Sequence, residues 1–423
     1  MITKRPRGTA DILPEDVAGW RYVEDIFRQV CREYNFEEIR TPVFEHTELF
    51  ERGVGDTTDI VEKEMYTFRD RKNRSITLRP EGTAPVARAF LENNLNAGPQ
   101  PVKLYYGGPM FRYDKPQAGR YREFHQLGAE VLGSSLPLVD AELIAMAMEI
   151  YSRLGLSGLE LHINSVGCPR CRADLKARLQ DFFEKKTEQL CPNCKDRFSR
   201  NPLRILDCKE KSCRELSSGA PTPLDCLCSD CSGHFDRVKQ YLDRLGVAYC
   251  VDGRLVRGLD YYTRTAFEVM SQEIGAQSSI GGGGRYDGLV EAVGGPPTPG
   301  IGFALGVERI LMTMKGQGID FPGRHRPDVF VVSAGPETET EAFDILFSLR
   351  KSGLSADKDL LGRSLKAQMK YAGKTGCRFV VILGGDELSR GVAGVKNMVS
   401  GEQVEIPLQE LAGKIKMKLY GGE

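Results

Sequence analysis

Arginines spaced along one stretch raise the first chemical question. "YYGGPMFRYDKPQAGRYREFHQLGAEVLG" (105–133) sets Arg112, Arg120 and Arg122 around a hairpin loop expected at 114–120, and "GVERI" adds Arg309. Further on, "LVRGLDYYTRTAFEV" (255–269) brings Arg257 close to the adjacent Tyr261 and Tyr262, just ahead of a strand-like run. A guanidinium is planar and permanently charged, so it grips phosphates or carboxylates bidentately and stacks on aromatic or purine faces. If 121–131 is a strand, Phe124, Gln126 and Glu130 share one face with Arg122. Polar groups alternating onto one side of a sheet mark a wet or ligand-filled cleft.

Cysteine supplies a second chemistry. "CPRC" (168, 171), "CPNC" (191, 194), Cys208, Cys213 and "CLCSDC" (226, 228, 231) include three C-x2-C pairs, the usual knuckles of a tetrahedral Zn2+ site. Cys191, Cys194, Cys228 and Cys231 form the expected quartet, closing a loop like a zinc ribbon. Reduced thiols packed in a small core are the competing account. The start "MITKRPRGTADILPED" has no apolar stretch of the kind that directs export, and nowhere do about 18 apolar residues run together. The chain therefore reads as cytoplasmic, with no membrane span, and its cysteines read as thiols or ligands before disulfides.

The glycine runs carry less. "SIGGGGRYDG" (279–288) lacks the G-K-[ST] of a phosphate-binding P-loop, and "GIGFALG" (300–306) follows "GGPPTP" instead of a buried strand, which argues against dinucleotide binding. Glycines this dense imply turns or close backbone approach. Net charge is equally uninformative: Lys+Arg and Asp+Glu stand at 58 each, so no global field selects nucleic acid or an anionic membrane.

The elements that must position these residues follow from hydrophobic period. Residues 17–34 place Trp20, Val23, Phe27, Val30, Cys31 and Tyr34 on one helical face, and 139–154 repeats the pattern. Strand-length runs recur between them: ITLRP, VKLYYGG, FHQLGAEVLG, LELHIN, TAFEVMS and IGFALG. Residues 1–322 thus predict an α+β body, an antiparallel or mixed sheet with flanking helices. A cysteine-rich, charged stretch at 168–236 interrupts it as an inserted domain, with 13 Lys/Arg against 7 Asp/Glu over 168–214. Alternating strand and helix patterns make 326–423 a separate small α/β domain.

Taken together, these segments resemble a known family. "GGPMFRYDKPQAGRYREFHQLG" resembles motif 2 of the class II aminoacyl-tRNA synthetases, "GIGFALGVERI" their motif 3, and "EIRTPVFE", around Pro42, their motif 1. "LRPEGTAPVARA", "RGLDYYTRTAFEV" and "GGGGRYDGLV" are similar to signature segments of histidyl-tRNA synthetases. The resemblance covers essentially the whole chain. It implies a class II catalytic core and a C-terminal anticodon-binding domain.

The same resemblance implies roles. A bent ATP has its adenine between Phe124 and Arg309, Arg112 holds the α-phosphate, and Arg120 reaches the outer phosphates bridged by Mg2+. Arg257 lies between the substrate carboxylate and the α-phosphate, cancelling their repulsion, so Arg112 and Arg257 are the catalytic residues. Glu130 accepts from the imidazole N–H of L-histidine and Tyr262 donates to its other nitrogen. Glu81, Thr83 and Gln126 face the amino group, while Tyr261 and Tyr286 shape the walls. The implied partners are L-histidine, ATP and tRNA(His), with the basic insertion as a candidate contact for the acceptor arm. Motif 1 implies a homodimer. The alternative is a non-catalytic, histidine-binding regulatory paralogue serving histidine biosynthesis.

Overall fold

The computed structural model describes residues 3–55, 58, 60–208, 210–273, 279–321, 323 and 326–420. Two compact units divide the chain, Met1–Pro322 and Gly323–Glu423. The first opens with α1 (Pro14–Glu33), whose proline start and acidic first turn suit a helix N-terminus. Then come β1 (Glu37–Glu38), β2 (Phe44–His46), α2 (Thr47–Val54), β3 (Tyr66–Arg69), β4 (Ser75–Leu78) and α3 (Thr83–Glu92). A long hairpin, β5 (Val102–Phe111) and β6 (Glu123–Leu132), leads to α4 (Pro137–Arg153) and β7 (Glu160–Ser165). The cysteine-rich stretch is helical: α5 (Pro169–Glu184), α6 (Pro192–Arg200), α7 (Lys211–Leu216) and α8 (Ser229–Leu245). The unit closes with β8 (Cys250–Val251), β9 (Thr263–Met270), β10 (Ser279–Arg285), α9 (Leu289–Ala292), β11 (Gly300–Gly306) and α10 (Val307–Gly316).

Eight strands form one sheet in the order β1-β5-β6-β11-β10-β9-β7-β8. Its middle pairings are all antiparallel, and only the outermost strands, β1 on β5 and β8 on β7, run parallel. Strand alternation then divides the two faces. Leu127, Ala129 and Val131 of β6, Phe267 and Val269 of β9, and Ile301, Phe303 and Leu305 of β11 join α1, α4, α8 and α10 in the main core. Each fully buried Val, Leu or Phe there is worth roughly 1.5–3 kcal/mol. The opposite face carries the intervening residues, including Gln126, Glu130, Glu268 and Gly302, and is covered in part by α3.

β10 decides between the two readings of its glycines. The "SIGGGG" run is a central strand between β9 and β11, not a turn. Its glycines serve close approach: a Cβ at Gly282 falls 3.1 Å from the Arg257 guanidinium and 2.5 Å from the Phe267 carbonyl. No other residue leaves that space. The hairpin loop also exceeds 114–120, since the strands stop at Phe111 and resume at Glu123. Position 236 falls inside α8, whose Phe235, Val238 and Leu242 belong to the main core.

The second unit is a five-stranded sheet ordered β13-β12-β14-β15-β16, from β12 (Val329–Ser333), β13 (Ala356–Lys358), β14 (Phe379–Leu383), β15 (Val392–Asn397) and β16 (Gln403–Pro407). The first three run parallel, and β15 and β16 add antiparallel strands. Helices α11 (Glu339–Lys351), α12 (Leu365–Thr375), α13 (Gly385–Ser389) and α14 (Leu411–Tyr420) complete it. Among the described residues no helix is long and apolar enough to cross a membrane.

A buried ionic cluster fixes the end of β10. Arg285 and Asp140 are both fully buried and paired, His234 Nε2 lies 3.0 Å from Asp140 Oδ1, and Arg285 Nη1 donates to the Ser134 carbonyl at 2.8 Å. Arg285→Met leaves Asp140 facing only His234, so urea unfolding of the variant should show a loss of about 3–5 kcal/mol. A change below about 1 kcal/mol would mean the cluster contributes little net stability.

Candidate active site

A cavity of about 660 Å³ opens on the sheet face opposite the main core. Its floor is glycine and alanine: Gly281 and Gly282 from β10, Gly302, Ala304 and Gly306 from β11. Of the residues expected to bind ATP or histidine, all but Glu130 line it.

Three arginines enter from different elements. Arg112, at the end of β5, donates through Nε to the Pro80 carbonyl at 2.8 Å and lies over the Phe124 ring with Cζ 5.2 Å from its centroid. Arg309, in the first turn of α10, donates to the carbonyls of Gly119 at 2.9 Å and Ser279 at 2.6 Å, tying the hairpin loop to β10. Burial lowers the pKa of both guanidiniums, and for Arg309 the nearby Arg120 and Arg112 add to that lowering. Arg257 donates through Nη1 to Glu268 Oε1 at 2.7 Å, while its Nε is buried with no hydrogen-bond partner among the described residues. Burial opposes its charge most strongly, but Glu268 together with the Tyr262 and Tyr261 phenols outweighs that and raises its pKa. Arg120 pairs with Asp114 inside the hairpin loop. Arg122 does not line the cavity; it stacks on Tyr113 at 3.8 Å.

Phenols and carboxylates build the other end. Tyr261 lies 4.8 Å from Tyr262 and 5.8 Å from Tyr286, ring to ring. Glu81, just ahead of α3, accepts the backbone N–H groups of Thr83 and Ala84, both at 2.8 Å, and the Tyr261 hydroxyl at 3.4 Å. Glu130 is fully buried behind this wall. Its Oε1 accepts from Thr83 at 2.7 Å and Tyr106 at 3.3 Å, and its Oε2 from Tyr286 at 2.6 Å. Burial pushes its pKa up to about 8 against the pull of those hydroxyls. The Gln126 side-chain oxygen is buried without a partner among the described residues.

Sequence reasoning missed several of these contacts. Glu268 is the one carboxylate of β9 and lies among Ala266, Phe267, Val269 and Met270, a signal that could have marked it as the partner of a buried cation. Tyr106 fits between Gly82 and Gly128, where any Cβ would overlap its ring. Neither glycine could have been paired with it from sequence. Leu206, Asp207, Cys208 and Arg214 of the cysteine-rich stretch also line the cavity, and no local pattern announced that.

The expected cysteine quartet is not formed. Cys191 and Cys194 gather with Cys208 and Cys213, while Cys228 and Cys231 gather with Cys168 and Cys171. The reason is topological: α8 returns beside the start of α5, so the last C-x2-C pair meets the first pair and not the second.

An antiparallel sheet whose open face presents arginines, carboxylates and phenols around one cavity is the arrangement expected of a class II aminoacyl-tRNA synthetase. Residues 8–189 and 222–310 match the family described as histidyl-tRNA synthetase, and 328–418 match an anticodon binding domain. The chain is similar to the histidine--tRNA ligase of Desulforamulus reducens, 64% identical over 99% of this chain and 100% of that one. It is 63% identical to that of Pelotomaculum thermopropionicum, over 100% of this chain and 99% of the relative. The apo histidyl-tRNA synthetase of Staphylococcus aureus superposes with a TM-score of 0.84 at 43% identity, over 98% of this chain and 100% of that one. The chain belongs to the histidyl-tRNA synthetase family.

Glu130 offers a pH test. With its folded pKa raised, the native state holds a proton that the unfolded state has lost between about pH 4.5 and about pH 8. Its stabilisation is therefore complete below the unfolded value and lost as pH rises through the folded one. Glu130→Gln cannot ionise, so its thermal midpoint should gain on the wild type progressively across that window. A difference that is flat with pH would rule out the raised pKa.

Proposed function

We infer that this chain activates L-histidine with ATP to histidyl-adenylate and transfers the histidyl group to the 3′ end of tRNA(His). The observation that carries this reading is the convergence of Arg112, Arg257 and Arg309 with the Glu81, Tyr261, Tyr262 and Tyr286 wall on one cavity. The histidine carboxylate attacks the α-phosphorus, a P–O bond forms, and the α–β bridge breaks to release pyrophosphate. Charge builds on the equatorial oxygens, so catalysis is mainly positioning and electrostatic stabilisation. Arg112 takes the α-phosphate, and Arg257 stands between that phosphate and the attacking carboxylate. Phe124 and Arg309 take the adenine, and Arg120 the outer phosphates with the Mg2+ that accompanies them.

Tyr262 addresses the imidazole directly. Glu130 acts on it through the hydroxyls that occupy its oxygens, a role consistent with its position behind Thr83, Tyr106 and Tyr286. Glu81, Thr83 and Gln126 receive the amino group, the Gln126 oxygen being available for one of its N–H donors. Residues 1–322 form the catalytic domain, 168–236 its insertion, and 326–423 the anticodon reader. The protein works as a cytoplasmic homodimer, and the exposed Val43 and Phe44 beside Pro42 suit a subunit contact. The regulatory-paralogue reading is disfavoured by the retained arginine set and by the match of 328–418 to an anticodon binding domain.

Histidine-dependent ATP–pyrophosphate exchange tests the reading, and its absence from folded protein overturns it. Arg257→Ala should slow single-turnover adenylate formation by about 10²–10³-fold with a smaller change in histidine affinity. An unchanged rate removes Arg257 from the chemistry. Deleting 326–423 should spare exchange and cripple aminoacylation; survival of both would show that the domain does not read the tRNA.

A further inference from the structure

Eight of the cysteines form two separate tetrads, Cys168, Cys171, Cys228 and Cys231, and Cys191, Cys194, Cys208 and Cys213. Within each, one sulfur from every residue lies within 4.8 Å of the others, and all of the chain's cysteines are unbridged. A tetrahedral Zn2+ with Zn–S bonds of about 2.3 Å sets its sulfurs about 3.8 Å apart. Cys168 Sγ lies 3.6 Å from Cys171 Sγ and 4.0 Å from Cys228 Sγ, and Cys191 Sγ lies 3.9 Å from Cys208 Sγ. The sulfurs already stand near the edges of that tetrahedron.

The backbone supports the same reading independently. Cys168, Cys191 and Cys228 are the N-caps of α5, α6 and α8, and Cys171, Cys194 and Cys231 occupy the first turns that follow. The first turn of each helix thus brings backbone N–H groups and its positive end to the sulfurs. The N–H of Cys228 donates to Cys171 Sγ at 3.1 Å, and the N–H of Cys191 to Cys213 Sγ at 3.2 Å. Such N–H to sulfur bonds orient ligand sulfurs around a metal. The core of the cysteine-rich stretch is small, with Leu175, Leu179, Phe183, Leu190 and Ile205 as its main apolar contributors beside the cysteines. Cores of that size usually need a staple.

We propose that each tetrad binds one Zn2+ as a closed, structural four-thiolate site. The first joins the starts of α5 and α8, where the inserted helices leave and rejoin the catalytic body. The second forms the centre of the insertion itself and sits in the part of the chain between 190 and 221 that the family match passes over. Its consequence reaches the active site. Between its ligands, Asn201 Nδ2 donates to Asp260 Oδ1 at 3.2 Å, and Arg204 Nη2 donates to the Gly258 carbonyl at 2.8 Å. The second metal therefore holds the clasp on the loop that presents Arg257, Tyr261 and Tyr262.

The test is a metal count on the full chain, purified without chelator and again after stripping and refilling with zinc. Two zinc ions per chain are expected, one for each tetrad. Cobalt refilling should give the thiolate-to-metal charge-transfer and visible bands of tetrahedral sulfur coordination. Cys171→Ser and Cys194→Ser should each remove one ion, while Cys226→Ala, in the same core but outside both tetrads, should keep both. Less than one ion per chain after refilling, a single ion, or cobalt spectra without thiolate bands overturns the proposal. Should a serine variant fail to fold, the wild-type count and the cobalt spectrum still decide. Because metal content is read without turnover, this inference can fail while histidine activation stands, and the reverse.

Discussion

Guanidiniums held by backbone carbonyls in a partly desolvated cavity are the constraint on which this structure turns. Arg112 and Arg309 are held by backbone carbonyls from Pro80, Gly119 and Ser279 rather than by carboxylates. Only Arg257 and Arg120 have direct acidic partners among the described contacts of the four, Glu268 and Asp114. Carbonyl dipoles fix direction without cancelling charge. Such a site costs stability in the absence of a ligand, and under the proposed function a polyphosphate would relieve that cost. On that reading the cost is met before the reaction begins, so little reorganisation remains for the chemical step.

A cavity of that kind needs a floor that intrudes nowhere, and the sheet supplies it by alternation. On β11, Ile301, Phe303 and Leu305 anchor the main core while Gly300, Gly302, Ala304 and Gly306 face the other way. At Gly302 even one methyl group would collide with Glu130. Apolar bulk on one face and near absence of side chains on the other let a single strand build a core and clear a binding site. The same logic makes β10 a glycine strand under Arg257.

These two strands also show why part of the molecule could be read in advance and part could not. Helices α1 and α4 announced themselves through one apolar stripe, and the hairpin arginines through residue type and spacing, because each signal is local. The glycine run was ambiguous, since close approach and turning use the same residue and only the neighbouring strand decides between them. Glu268 needed the knowledge that Arg257 lies across from it. Glu130 read as a cavity residue by face, but the ring of Tyr286 and the hydroxyls of Tyr106 and Thr83 stand in front of it. Cysteine spacing marked C-x2-C pairs that do gather into tetrads but joined two of them wrongly, because the pairing depends on where α8 comes back.

The cysteine-rich helices reach the loop that carries Arg257 through hydrogen bonds to backbone, which sequence patterns do not display. Arg172 donates to the Asp260 carbonyl at 3.0 Å and Arg204 to the Gly258 carbonyl at 2.8 Å, so two inserted side chains grip the short loop around Asp260 from outside. That loop has no regular hydrogen-bonded ladder of its own between β8 and β9. A loop without internal support samples many conformations, and an arginine proposed to sit between two anions tolerates few of them. The insertion therefore acts as external scaffolding for Arg257. Its own rigidity, whatever supplies it, sets how well the cation is placed.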